Sequence, residues 1–176
     1  MMEEHLFKIA MVGEPGVGKT TAIARFVNGR FNSDTKSTLG VDFSLKHVSI
    51  KLDETDYKTT LQIWDIAGEH RYRDLMAIFI SGTKGLLLVF DNMNSLESLQ
   101  EWLEVLDSHI PIKEIPKILI STKDDLNPTL DDNTIRIFIS DYNVSKYFTT
   151  SSVTGKNIEE MFERISQLAM IPSLLA

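Results

Sequence analysis

The chain has 176 residues, 43% hydrophobic and 24% charged, the balance of a globular protein long enough to bury most of the apolar surface its unfolded form would expose. With 9 Gly, 5 Pro and no internal repeat there is no room for a long linker, and a single domain over residues 1–176 is expected. The 18 Lys and Arg against 25 Asp and Glu leave a net charge of −7 with dispersed basic residues, which argues against nucleic acid or an anionic membrane as partner, and the absence of cysteine excludes disulfides, thiolate metal sites and thiol nucleophiles.

The opening "MMEEHLFK" lacks the basic region of a secretory signal, and no run approaches the roughly 18 apolar residues of a membrane span, so a cytoplasmic chain is expected. Residues 6–12, "LFKIAMV", read as a short buried strand ending at a glycine-rich turn; residues 19–28 continue with Ala22, Ile23, Phe26 and Val27 at helical spacing. From 41 to 64 the period is two, with Val48, Ile50, Leu52, Tyr57, Leu61 and Ile63 alternating with polar residues, which predicts an antiparallel hairpin with the acidic "DETD" between its strands. "GLLLVFD" (85–91) and "PKILIS" (116–121) are continuous apolar runs, as expected of parallel strands covered on both faces, and a shorter strand is predicted over 144–149. Leu96, Leu99, Trp102, Leu103 and Leu106 share one helical face, Ile135, Phe138 and Ile139 a second, and Ile158, Met161, Phe162, Ile165, Leu168 and Ala169 a third. The alternation predicts a three-layer α/β fold whose sheet is mostly parallel with one antiparallel strand, with any ligand beyond the carboxyl ends of the strands. His5, His47, His70 and His109 lie far apart in sequence; a metal cluster is possible in principle, but solvated or packed histidines are the preferred reading.

Chemistry concentrates in "GEPGVGKT", residues 13–20, which satisfies G-x-x-x-x-G-K-[ST] after a strand and at a helix start. Gly13, Gly16 and Gly18 let the backbone curl so that N–H groups face phosphate oxygens, with the helix dipole adding positive potential. Lys19 would bridge β- and γ-phosphates, and the Thr20 hydroxyl would ligate Mg²⁺. A glycine turn with an incidental lysine is the bland alternative, and the placement between strand and helix argues against it. "STKDDL", residues 121–126, opens at the same rim, and there the acceptor-only Asp125 matches the paired N1–H and N2–H₂ donors of guanine. Facing adenine it would be left unpaired, at a cost of about 1–3 kcal/mol. An aspartate capping the turn before Asn127 and Pro128 explains Asp125 alone equally well; the joint pattern favours guanine.

Together these stretches resemble the Ras-like small GTPases, in detail the Rab family. "STLGVDF" (37–43) looks like the Rab effector loop, "LQIWDIAGEHRYR" (61–73) is similar to "LQIWDTAGQERYR", and "TSSVTGKNI" (150–158) is similar to "TSAKTGxNV", in matching order from about residue 6 to residue 170. The resemblance implies a P-loop GTPase fold with a six-stranded sheet and five helices. It implies GTP and GDP as substrate and product, and Mg²⁺ held by Thr20, Thr38 and Asp65. It further implies a γ-phosphate contact from the Gly68 N–H, Phe31 and the Lys123 stem against the base, and guanine O6 read by the Ser152 N–H. Glu14, Pro15, Val17, Thr21, Thr122, Leu126, Ser151 and Val153 complete the nucleotide-contacting set, and Lys19, Thr38, Gly68 and Glu69 the catalytic one. Effectors, exchange factors and GTPase-activating proteins are implied partners of a monomer. Release of residues of about 31–43 and 65–77 on hydrolysis would signal the nucleotide state.

Three departures qualify this. Glu69 stands where glutamine is usual, and at about 5 Å and an effective dielectric near 20 its charge would cost about 3 kcal/mol per unit of phosphate charge. It either swings away and leaves slow hydrolysis, approaches as base or protonated donor, or pairs with Arg71 or Arg73. Pro15 lacks an N–H and would crowd the side where a partner's arginine finger enters, so slow intrinsic turnover is expected. Thr122 replaces the usual asparagine, and its shorter reach weakens the guanine reading slightly. The cysteine-bearing lipidated tail of the family has no counterpart here; trimming and anchoring by other means both remain open. Two rival readings also stay open: a scaffold that holds GTP without hydrolysing it, and an ATP-using phosphotransferase.

Overall fold

The computed structural model describes residues 5–174. Eleven strands and helices, with two short 3₁₀ turns, occur in them. They run β1 (His5–Val12), α1 (Lys19–Asn28), β2 (Val41–Leu52), β3 (Thr55–Ile66), α2 (Arg73–Phe79), β4 (Thr83–Phe90), α3 (Met93–Asp107), β5 (Lys117–Ser121), α4 (Asp132–Asp141), β6 (Lys146–Thr149) and α5 (Ile158–Leu174). The sheet order is β2-β3-β1-β4-β5-β6, with β2 antiparallel to β3 and every other pair parallel. This is the six-stranded, five-helix α/β arrangement expected.

The apolar runs bury both faces, as their composition implies. Ile9 and Met11 of β1 and Leu87 and Val89 of β4 pack under α1 and α5, while Ala10, Val12, Leu86, Leu88 and Phe90 point the other way under α2, α3 and α4. On the first face Phe26 of α1 and Phe162 of α5 stack with ring centroids 4.1 Å apart, a contact worth on the order of 1 kcal/mol beyond its buried area. On the second, Trp102 of α3 is fully buried. Caps set the helix starts: the Asn92 side chain accepts from the Ser95 N–H and the Ser95 hydroxyl answers the Asn92 N–H, a reciprocal box that opens α3.

Boundaries moved where local chemistry overrode pattern. The hairpin turn is only Asp53–Glu54, because Thr55 and Asp56 of the acidic stretch pair with Leu52 and Lys51. Asp53 takes the left-handed conformation, φ 51°, that such a tight turn requires and that Asp tolerates. Pro116 is excluded from β5 because it has no N–H, although its carbonyl still accepts from the Leu86 N–H. The last strand starts at Lys146, two residues later than predicted. Helix α2 escaped the periodicity reading because seven residues with Leu75 and Ile78 exposed show no apolar stripe.

Candidate functional site

The chain leaves β1 at Gly13, where φ is 152° and an added Cβ would lie 2.2 Å from the Val89 carbonyl oxygen, so only glycine fits. Helix α1 begins at Lys19 behind a left-handed Gly18, and no side chain caps its first-turn N–H groups. Four side chains brace the loop between. The buried Lys19 ammonium donates to the carbonyls of Gly13 (2.8 Å) and Glu14 (2.9 Å). Burial pushes the pKa of that ammonium below the usual lysine value, and the charges of Asp65 and Glu14 oppose the shift. Thr122 Oγ1 donates to the Val17 carbonyl (2.5 Å), and Lys123 Nζ donates to the Gly16 carbonyl (2.8 Å). Trp102 Nε1–H donates to the Glu14 carboxylate (3.3 Å).

Beside this loop three oxygen side chains converge. Thr20 and Thr38 donate to Asp65 Oδ2, the latter at 3.0 Å, and their hydroxyls are 2.8 Å apart. Asp65 is buried at the end of β3, and its second oxygen, Oδ1, has no hydrogen-bond partner. An orphaned buried carboxylate oxygen among hydroxyls is a donor set for a hard cation such as Mg²⁺ and not for zinc or iron. Thr20, Thr38 and Asp65 could hold it. Among the described residues no cluster of three His, Cys, Asp or Glu offers another metal site.

The strand end that carries Asp65 then meets the phosphate loop. The Ala67 N–H donates to the Gly40 carbonyl (2.9 Å), and a Cβ on Gly68 would lie 2.3 Å from Pro15 N, so residue 68 must be glycine for this approach. A cleft of about 200 Å³ results, walled by Pro15, Gly16 and residues 18–21 of the loop and helix, by 35–38, and by Ala67, Gly68 and Glu69. Glu69 turns to Arg71, with Oε2 2.5 Å from Nε, while Arg73 is taken by Glu101 (3.1 Å) and lies over the Trp102 ring.

A backbone cradle with one buried ammonium, a hydroxyl–carboxylate cluster and a glycine pressed against the cradle make a site for a metal-bound polyphosphate. The family model described as Ras family matches residues 8–170. The chain belongs to the Ras family. It is similar to the human Ras-related protein Rab-8B, 32% identical over 163 residues that cover 90% of this chain and 76% of that protein. It is also similar to YPTC6 of Chlamydomonas reinhardtii, 34% identical over 92% of this chain and 74% of the relative, and to RAB1BV of Beta vulgaris, 32% identical over 93% and 76%. Ras-family membership makes it a GTP-binding small GTPase.

The residues expected on the base side of this Ras-family chain lie on two loops clipped together beyond β5 and β6. The Asp125 carboxylate accepts from the Ser151 hydroxyl (2.6 Å), Lys156 pairs with Asp124 (2.7 Å), and the Asp124 N–H donates to the Thr150 carbonyl (3.0 Å). The Thr122 hydroxyl is buried against the phosphate loop, where it bonds to the Val17 carbonyl. Phe31, Leu126 and Val153 are exposed, and Ser152 is half-buried between its loop neighbours. Among the described residues no helix is long and apolar enough to cross a membrane.

Residues that sequence reasoning passed over also belong to the site. Thr35, Lys36 and Ser37 line the cleft, and the Thr35 hydroxyl is 3.3 Å from that of Thr21. Asp91 pairs with Lys123 (2.6 Å) and accepts from the Ser95 hydroxyl, so it holds the lysine from behind. Its place at the carboxyl end of a parallel strand was the signal available.

Proposed function

We propose that this chain is a Mg²⁺-dependent switch that binds GTP and hydrolyses it slowly. What supports the reading is one juxtaposition: Thr38 and Gly68, from two separate stretches of chain, line the same cleft as Lys19 and Thr20. Only a triphosphate offers γ-oxygens to both stretches, so each nucleotide state favours a different arrangement of residues near 31–43 and 65–77. Lys19 and the loop N–H groups bind the β- and γ-phosphates. Thr20, Thr38 and Asp65 would hold magnesium, which when bound would supply neutralising charge there. Asp125, held by Ser151, accepts from the guanine edge; the Lys123 stem and Phe31 cover the base, and the Ser152 N–H reads O6. Glu69 stands where water is positioned. In the reaction the water oxygen bonds to the γ-phosphorus as the bond to the β–γ bridging oxygen breaks, giving GDP and inorganic phosphate, which carries the water's proton.

Slow turnover follows from Pro15, which removes one N–H from the loop beside the γ-phosphate position. Effector proteins would read the ordered stretches, and exchange factors and GTPase-activating proteins would set the lifetime of each state. The chain acts as a monomer, with recruitment to membranes through partners or through a lipidated tail. The rival reading, a scaffold locked on GTP, is favoured by the same Pro15 and Glu69. Calorimetry with magnesium present is expected to give GDP at least about tenfold tighter than ADP, the loss of one carboxylate–donor pair. Single-turnover assay of [γ-³²P]GTP then separates the two readings: phosphate release above buffer supports the switch, and retention of intact GTP supports the scaffold.

A further inference from the structure

A carboxylate at position 69 leaves a deficit that a neighbouring side chain is placed to make good. A side chain that holds water against a phosphate must accept from the water and donate to a phosphate oxygen, and an ionised carboxylate only accepts. Its charge also repels the phosphate. Glu69 nevertheless lines the phosphate cleft together with Pro15, Lys19 and Gly68. Its Oε2 lies 2.5 Å from Nε of Arg71.

The backbone beneath this pair is held on both sides. Gly68 sits so close to Pro15 N that no side chain fits between them, and the Tyr72 N–H donates to the Glu69 carbonyl (3.0 Å), closing the 3₁₀ turn His70–Tyr72 that carries Arg71. The Arg71 guanidinium lies over the Tyr72 ring, 4.8 Å from its centroid. Arg73, the other arginine of this segment, bonds to Glu101 and lies over the ring of Trp102. The basic partner of Glu69 is therefore Arg71.

We propose that Glu69 and Arg71 act as a pair that does what a single amide side chain does alone. The carboxylate oxygen not bound to Arg71 accepts from the attacking water. The guanidinium, with Nε spent on Glu69 and its terminal N–H groups free for the task, donates to a γ-phosphate oxygen and cancels the carboxylate charge. The new bond joins the water oxygen to the γ-phosphorus, the bond to the bridging oxygen breaks, and the water's proton leaves on the phosphate. This rests on the hydrolysis reading above, and the carboxylate of the pair lines the same cleft as Pro15, the loop position with no N–H to offer.

The ion pair is solvent-exposed, with the Arg71 side chain at 64%, so removing it leaves the fold intact and permits a direct test. Single-turnover [γ-³²P]GTP hydrolysis is measured for the unsubstituted protein, Arg71→Ala, Glu69→Gln and the double variant, with affinity for a non-hydrolysable GTP analogue measured alongside. Arg71→Ala is expected to slow hydrolysis at saturating GTP by about tenfold or more, below the roughly 10²- to 10⁴-fold of a general acid or base, while weakening the analogue by no more than about fivefold, the worth of the one hydrogen bond it donates. In the Glu69→Gln background, where the amide supplies both donor and acceptor, the same change is expected to cost less than about twofold. Equal loss in both backgrounds, or none in the unsubstituted one, overturns the pair while leaving the hydrolysis reading intact. No phosphate release from the unsubstituted protein overturns both.

Discussion

The phosphate loop and the stretch 29–40, through its residues 35–38, wall the same cleft, yet they are built on opposite plans. The loop is braced from outside by Lys19, Trp102, Thr122 and Lys123, which come from three further parts of the chain and reach its backbone or the Glu14 side chain. Between 29 and 40 most residues are exposed, and local contacts such as the Asp34 N–H to Asn32 Oδ1 dominate. The side-chain contacts tying that stretch to the rest are Thr35 to Thr21 and Thr38 to Thr20 and Asp65. One wall is part of the scaffold, and the other is held through the oxygen cluster at which a cation and a γ-phosphate would arrive. A wall that depends on its ligand is what makes a site report which ligand is present.

This contrast can be broken experimentally. Lys19→Met, which removes two charge-assisted bonds, is expected to weaken both GDP and a non-hydrolysable GTP analogue by about 10²- to 10⁴-fold, as read by calorimetry, with the melting curve confirming the fold. If GDP binding survives, the braced loop is not the phosphate cradle. Thr38→Ala is expected to weaken the GTP analogue by about fivefold to tenfold and GDP by less than twofold, one hydrogen bond's worth. Hydrogen exchange over 29–40 should then be equally fast with either nucleotide; protection that persists with the analogue would show that the stretch is held by something else. The smallest effect sharpens the picture from the base side. Asp91→Asn loosens Lys123 and should raise the dissociation rates of GDP and of the GTP analogue alike by about threefold, in keeping with a partly exposed ion pair. An effect on one nucleotide alone would place Asp91 with the conditional wall.

The braced half was legible in the sequence because glycines, a lysine and a hydroxyl at set spacing leave few other backbones possible, and the sheet was legible because residues 85–90 of β4 and 118–120 of β5 are unbroken apolar runs. The conditional half was less so. Thr38 and Asp65 entered through family resemblance, since a threonine in a polar loop carries no periodic signal, and Glu69 was left open between three arrangements that only geometry distinguishes. The bond from Thr122 to the Val17 carbonyl was not legible, because sequence gives a residue's reach and not its direction. Asp91 and Trp102 were passed over as site residues because each has an ordinary explanation, a strand end and a core aromatic, that hides its second contact.

The indole of Trp102 gives the molecule a built-in optical gauge. It is fully buried, and its nitrogen touches a carboxylate on the phosphate loop, whereas Trp64, the other tryptophan of the chain, lies between Phe43 and Phe79 under the Lys8 ammonium. Each fluorophore therefore samples a different element, one the braced phosphate loop and the other β3 and α2, beside the stretches proposed to rearrange. Emission from the two, separated by replacing either ring with phenylalanine, follows filling of the cradle and rearrangement of its surroundings as distinct signals, without any attached dye.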